Sequence, residues 1–213
     1  MTQMEIELMA YSYINLDKKR KFNSFSLINN EQVLSNKKKI GISIFVPSLI
    51  NLYNIRGNIK NTDFVLSIKT FLNHKIPSKV GLYSKDKESY LLNLGPDEFL
   101  YINYKKQLGS LINFHNNLIK SKSAVTDVSD HYQVLYLNGE MIRWILSKGC
   151  TVNLDTSVFK PGFCAQTILG HANIMLLCEG KNSFLIIFVS SFLNYVINWL
   201  KVSSQEHGYK ITI

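Results

Sequence analysis

The stretch from Ala124 to Leu200 constrains the fold most, because its hydrophobic period switches between 2 and 3.6 with punctuation at each change. Ala124 to Ser129 and Tyr132 to Leu137 read as strands. Asn138-Gly139 then opens a helix with apolar positions at Met141, Ile142, Ile145 and Leu146, with Trp144 flanking the stripe, Arg143 pointing elsewhere and a stop at Lys148-Gly149. After a long loop, Ala172 to Val189 carries a hairpin pattern that turns at Gly180-Lys181-Asn182. Phe192, Tyr195, Val196, Trp199 and Leu200 then share one face of a closing helix. Such an order belongs to a mixed α+β domain with helices laid on one face of a sheet.

The same order occurs once before. Ser89 to Leu94 reads as a strand, Gly95-Pro96-Asp97 as a turn, Glu98 to Asn103 as the returning strand, and Lys105 to Ile119 as a helix with Leu108, Leu111, Ile112, His115, Leu118 and Ile119 on one face. Gly95 to Phe99 and Gly180 to Phe184 share a spacing, so the two units predict a pseudo-repeated sheet with both helices on the same side. His115 on that stripe predicts a partly buried core histidine.

Upstream the pattern is looser. Ile40 to Val46 predicts a strand closed by Pro47, Ser48 to Gly57 a short helix or turn, Phe64 to Ile68 another strand, and His74 to Pro77 a surface loop. Met1 to Asn36, with Lys18-Lys19-Arg20-Lys21, reads as an arm whose basic run is a solvated face or an electrostatic dock. The expected division is an arm and first strands over 1–77 and one continuous domain over 78–213.

Charge and cysteines bound the function. The net charge is +9, from 24 Lys+Arg against 15 Asp+Glu. Lysine dominates and the arginines are Arg20, Arg56 and Arg143 alone, which argues against a nucleic-acid groove, where base readout and phosphate clamping lean on arginine. Cys150, Cys164 and Cys178 have no paired spacing, so they read as free thiols in a reducing compartment rather than a disulfide framework or a zinc site, even with His171 between two of them. The segment from Asn182 to Leu200 is uncharged and near the length of a membrane span, but Ser190-Ser191 interrupts it and Asn194 and Asn198 are polar. It reads as a buried strand and a docked helix.

No phosphate loop, dinucleotide fingerprint, zinc-protease helix or nucleophile elbow is present. Asp130 and His131 would diverge on a strand, and Asp127 is placed to order a turn with Ser129. Cys164 beside Gln166 has no histidine in a specified relation to it. No catalytic, cofactor-binding or metal-binding residue is expected.

Several separate elements resemble one family. These are Leu94 to Leu100, Asp127-Val128-Ser129, Leu137-Asn138-Gly139, Leu146 to Cys150 and Asn153-Leu154. They continue through Phe159, Pro161-Gly162, Cys164 to Thr167, Leu169-Gly170, Ser191-Phe192 and Trp199-Leu200. In order and spacing they are similar to the gamma subunit of heterotetrameric sarcosine oxidase, over about Val80 to Leu200. The resemblance implies an aminomethyltransferase-like folate-binding fold, close to the glycine-cleavage T-protein. It implies a cytoplasmic complex that oxidises sarcosine to glycine and hydrogen peroxide and passes the one-carbon unit to tetrahydrofolate. In that complex FAD, FMN, NAD and tetrahydrofolate sit on the alpha and beta subunits and zinc on delta, and gamma is non-catalytic. A stand-alone folate-binding protein of the T-protein type is the second expectation.

Overall fold

The computed structural model describes residues 28–36, 39–47, 50–104, 114–118 and 121–213. The basic run at 18–21 and the first part of the helix expected from Lys105 lie outside them. The described residues form twelve strands and three α-helices, with a helical turn at 114–118 and a 3-10 turn besides.

The chain enters through β1 (Glu31–Leu34), β2 (Ile42–Phe45) and β3 (Asn51–Arg56), then helix α1 (Thr62–Leu72). Next come β4 (Tyr83–Lys85), β5 (Ser89–Gly95) and β6 (Glu98–Asn103), a helical turn at 114–118, then β7 (Ala124–Asp127) and β8 (Tyr132–Asn138). Helix α2 (Ile142–Ser147), β9 (Cys164–Leu169), β10 (Ala172–Gly180), β11 (Ser183–Val189), a 3-10 turn (Ser190–Phe192), α3 (Leu193–Ser204) and β12 (Gly208–Thr212) complete it. The strands form two sheets, ordered β1-β12-β2-β8-β11-β10-β9 and β4-β5-β6-β3-β7.

Two sheets explain why the central strands are apolar on both faces. Met175, Leu177, Leu185 and Ile187 of the large sheet meet Leu52, Tyr90, Leu92, Leu100 and Ile102 of the small one in an inter-sheet core. The alternate residues Ile174, Leu176, Phe184, Ile186 and Phe188 turn outward against α2 and α3. Tyr53, Ile55, Leu91, Phe99 and Tyr101 turn outward against α1 and residues 114–118. Each sheet therefore carries its helices on one face, and the α+β class and pseudo-repeat stand. The difference is that the repeats form two stacked sheets, so residues 114–118 and α3 lie on opposite outer faces of the sandwich.

The repeat extends to the register. Asn93 faces Phe99 and Gly95 faces Glu98 across one hairpin; Cys178 faces Phe184 and Gly180 faces Ser183 across the other, each with a bulge at the intervening residue. The strand that leads into each half pairs with the other half. β2 precedes β3 but pairs with β8, and β7 precedes β8 but pairs with β3.

Four local expectations change. Residues 51–56 are a strand, not a helix or turn, because β3 lies inside the small sheet, paired with β6 and β7 on its two sides. Residues 62–72 are a helix, not a strand. Asn61 caps it, its side-chain oxygen accepting from the N–H of Asp63 (2.9 Å) and Phe64 (3.3 Å). Asn73 ends it in the left-handed region, and Phe64, Ile68 and Leu72 bury one stripe. His115 is exposed; Leu118 is buried as expected, and Phe114, not His115, shares the core with it. The stripe of α3 is rotated: Leu193, Val196, Ile197, Leu200 and Ser204 are buried, Tyr195 and Trp199 flank them half-buried, and Phe192 is exposed. The 3-10 turn delays the helix start to Leu193 and leaves Phe192 outside its first turn.

The uncharged segment from Asn182 is indeed strand β11 followed by docked helix α3. Among the described residues no helix is long and apolar enough to cross a membrane.

Candidate functional site

The residues that carry the resemblance converge on packing. Gly170 donates its N–H to Gly149 O (3.1 Å), beside Trp199. A Cβ on Gly149 would lie 2.4 Å from Trp199 Cζ2, and one on Gly170, at φ +61°, would lie 2.3 Å from Tyr195 Oη. That hydroxyl oxygen accepts from the His171 N–H (2.9 Å), so the loops after α2 and β9 are clamped beneath α3. Asp127 Oδ1 accepts from Ser129 N–H (2.9 Å) and Oγ–H (2.5 Å), as its position in the sequence predicts. Leu52 N–H in turn donates to Ser129 Oγ (2.9 Å), which fixes the β7–β8 corner to β3. Asp130 and His131 are exposed, and the His131 ring stands edge-on to Tyr132.

The thiols are locked away. Cys164 is buried and burial pushes its thiol up to about 12. Cys150 is pushed up to about 12 in the same way. Cys178 is buried and raised mainly by burial, with the Arg143 charge opposing. Thiols so raised hold little thiolate at neutral pH, and the thiolate is the nucleophile and metal ligand. Gln166 donates to Leu94 O (3.1 Å), bridging the sheets. Among the described residues no three His, Cys, Asp or Glu side chains are grouped to hold a metal ion.

Three constellations escaped sequence reasoning. Arg143, read as pointing elsewhere, reaches inward: it donates to Lys181 O (2.7 Å), Leu154 O (2.5 Å) and Phe159 O (3.2 Å), with Cys178 Sγ at 3.3 Å. Its guanidinium thus pins the long loop before β9 to the β10–β11 turn. His74 is buried rather than a surface-loop residue. Its Nδ1 is 2.9 Å from Ser84 Oγ and its Nε2 2.8 Å from Ser89 Oγ, and burial lowers its pKa below 6.5. Glu179 occupies the bulge of β10, which turns its side chain, 6% exposed, between the sheets to Lys85 Nζ (2.5 Å) and the Tyr90 hydroxyl. Tyr83 donates to Cys178 O (2.7 Å) beside it, and burial pushes the Tyr83 phenol up to about 12. The density of tyrosines in 83–104 was a sequence signal for the Glu179 cluster alone.

Two clefts open between the sheets. One, of about 500 Å³, is lined by Glu98, Tyr132, Gln166 and Asn173 among apolar residues. The other, of about 370 Å³, lies at the seam where Leu82 bridges to Phe163 and Cys164 N–H donates to Gly81 O (2.8 Å). Phe163 (39% exposed) lines the seam cleft, and Val80 (55%) and Val158 (51%) are exposed near it in the chain. Apolar surface left open at a cleft marks a contact site more readily than a reacting one.

A family model described as "Sarcosine oxidase, gamma subunit family" matches residues 56–206. Sarcosine oxidase subunit gamma of Corynebacterium sp. strain U-96 is 29% identical over 132 residues, 62% of this chain and 64% of its own length. The same subunit of strain P-1 is 29% identical over 134 residues, again 62% and 64%. The chain thus spans just under two thirds of the curated relatives it matches. In fold it is similar to a chain of heterotetrameric sarcosine oxidase from Corynebacterium sp. U-96, solved in complex with pyrrole 2-carboxylate: TM-score 0.74, 23% identity, 82% of this chain and 88% of that one. It is also similar to glycine cleavage system aminomethyltransferase T from Bartonella henselae, with TM-score 0.59, 13% identity, and 82% and 48% coverage. The fold implied by the resemblance is therefore the fold observed, and a family model covering more than half of the chain agrees with it. The chain belongs to the sarcosine oxidase gamma subunit family.

Proposed function

We propose that this chain is the gamma subunit of a heterotetrameric sarcosine oxidase and works by assembly rather than by chemistry of its own. Its partners are the alpha, beta and delta subunits. The complex converts sarcosine, water and oxygen to glycine, formaldehyde and hydrogen peroxide, or yields 5,10-methylenetetrahydrofolate when tetrahydrofolate takes the one-carbon unit. FAD, FMN, NAD and tetrahydrofolate belong to alpha and beta, and zinc to delta. The compartment is the cytoplasm, in keeping with three free cysteines.

One observation carries this reading. The groups that would do chemistry are buried or spent on internal ties, Cys164 by burial and Arg143, His74 and Glu179 by hydrogen bonds and an ion pair, while apolar Phe163 is left open at the seam and Val80 and Val158 are exposed near it in the chain. Such a surface is stabilised by a partner that covers it. A tagged chain purified from its source cell, with mass analysis of what accompanies it, tests the proposal. The three other subunits are expected in stoichiometric amount. Turnover of an N-methylated amine by the chain alone overturns it, and tight binding of tetrahydrofolate by the isolated chain favours the stand-alone T-protein reading.

A further inference from the structure

The two halves of the sandwich differ in one place. Read from one edge, β9-β10-β11-β8-β2 matches β4-β5-β6-β3-β7 strand for strand. Ser43, Ile44 and Phe45 face Asn138, Leu137 and Tyr136 in the large sheet, and Ala124, Val125 and Thr126 face Arg56, Ile55 and Asn54 in the small one. Beyond β2 the large sheet continues with β12, parallel, which sets Lys210, Ile211 and Thr212 opposite Ser43, Ile44 and Phe45. Beyond β7 no described strand follows.

The ladder shows which groups this leaves open. Val128 N–H donates to Leu52 O (2.9 Å), in the same register as Tyr53 opposite Asp127. Bonded and non-bonded pairs alternate in an antiparallel ladder, so Ala124 and Thr126 bond to β3 while the N–H and C=O of Val125 and Asp127 point away from the sheet. The side chains agree. Ile44, flanked by Ile211, is 0% exposed; its counterpart Val125 packs on the helix-side core yet is only partly buried.

We propose that the free edge of β7 accepts an extended segment of a partner subunit, parallel to β7 as β12 is to β2, with an apolar residue beside Val125. The inference rests on the accessory-subunit reading. Charge gives the guest its polarity: exposed Lys122 precedes β7, and exposed Asp127 and Asp130 stand at its far end. A parallel guest is acidic where it enters and basic where it leaves. Backbone bonds supply affinity in such strand addition, and alternate side chains supply specificity.

Residue-resolved hydrogen exchange on the isolated chain and on the complex reassembled with the alpha, beta and delta subunits tests it. The Val125 and Asp127 amides exchange fast in the isolated chain and become protected in the complex, while those of Ala124 and Thr126 are protected in both. Val125→Pro removes one outward donor without breaking a bond to β3, and weakens association by about tenfold. Association with unprotected Val125 and Asp127 amides overturns the inference and leaves the accessory reading standing. Failure of the subunits to associate overturns both. Protection that grows with the concentration of the isolated chain shows self-pairing across a twofold axis, which would also set Lys122 near Asp127, and overturns the partner strand. If Val125→Pro does not fold, the exchange pattern of the unaltered chain decides.

Discussion

The Arg143 guanidinium lies 4.9 Å above the ring of Phe184, stacked on the outward face of β11 while its nitrogens donate to three backbone carbonyls. Arg143→Met keeps the stacking bulk and strands those carbonyls. It is expected to cost about 1–3 kcal/mol, or about 2–4 °C in Tm per kcal/mol for a chain of this size, measured by thermal unfolding. Arg143→Lys recovers only part, because one ammonium cannot span all three acceptors. An unchanged Tm in both variants would remove the staple from the account.

His74 predicts a pH dependence. Burial lowers its folded pKa below the ordinary 6.5, so below pH 6.5 the unfolded chain binds the proton first. The contribution of His74 is fully present above pH 6.5 and is lost as pH falls through the folded pKa. Glu31, Asp86, Asp155 and Glu206 also have lowered values, from 4.5 or 3.8, and their losses come at more acid pH. Denaturant midpoints between pH 7 and 5 should therefore fall in the natural chain and flatten in His74→Gln.

The bulge carboxylate makes a third expectation. Tyr90→Phe leaves the ring in the inter-sheet core and removes the bond to Glu179, costing about 1.5–3 kcal/mol. Pairing it with Glu179→Gln in a double-mutant cycle should return a coupling well above zero, and additivity would show that the two do not act together.

Thiol labelling follows from burial. Cys164 and Cys178 should resist a thiol-disulfide reagent at pH 8 in the folded chain and react on addition of denaturant, because little thiolate forms where desolvation raises the pKa. Rapid stoichiometric labelling of the native chain would contradict the packing around β9 and β10.

Gly170→Ala combines a backbone penalty at φ +61° with a contact 2.3 Å from Tyr195 Oη. A loss of about 1–3 kcal/mol is expected. Adding Tyr195→Phe, which removes the clashing oxygen, should restore part of it.

Legibility followed locality. The 89–103 and 172–189 hairpins could be read because glycine turns and apolar alternation lie within a few residues of each other. Residues 51–56 could not, because their strand state comes from β6 and β7, neither of which is adjacent in sequence. For 62–72 the signals were present in Asn61, Asn73 and the Phe64-Ile68-Leu72 spacing, and a short apolar run masked them. The site shows the same division. The Asp127–Ser129 turn is two residues wide and was readable, whereas the ties of His74 to Ser89 and Arg143 to Phe159 join elements that only the fold brings together.

The exchange of lead strands has a consequence for the nascent chain. β2, near residue 42, must wait for β8 to be translated, and β1 must wait for β12 at 208–212. Neither sheet can be finished by half of the polypeptide, so closure comes late, with hydrogen-bonding edges held open while synthesis runs. A subunit built this way interlocks its two halves only as the last strands become available, and cutting between them would leave two fragments, each holding a strand that belongs to the other.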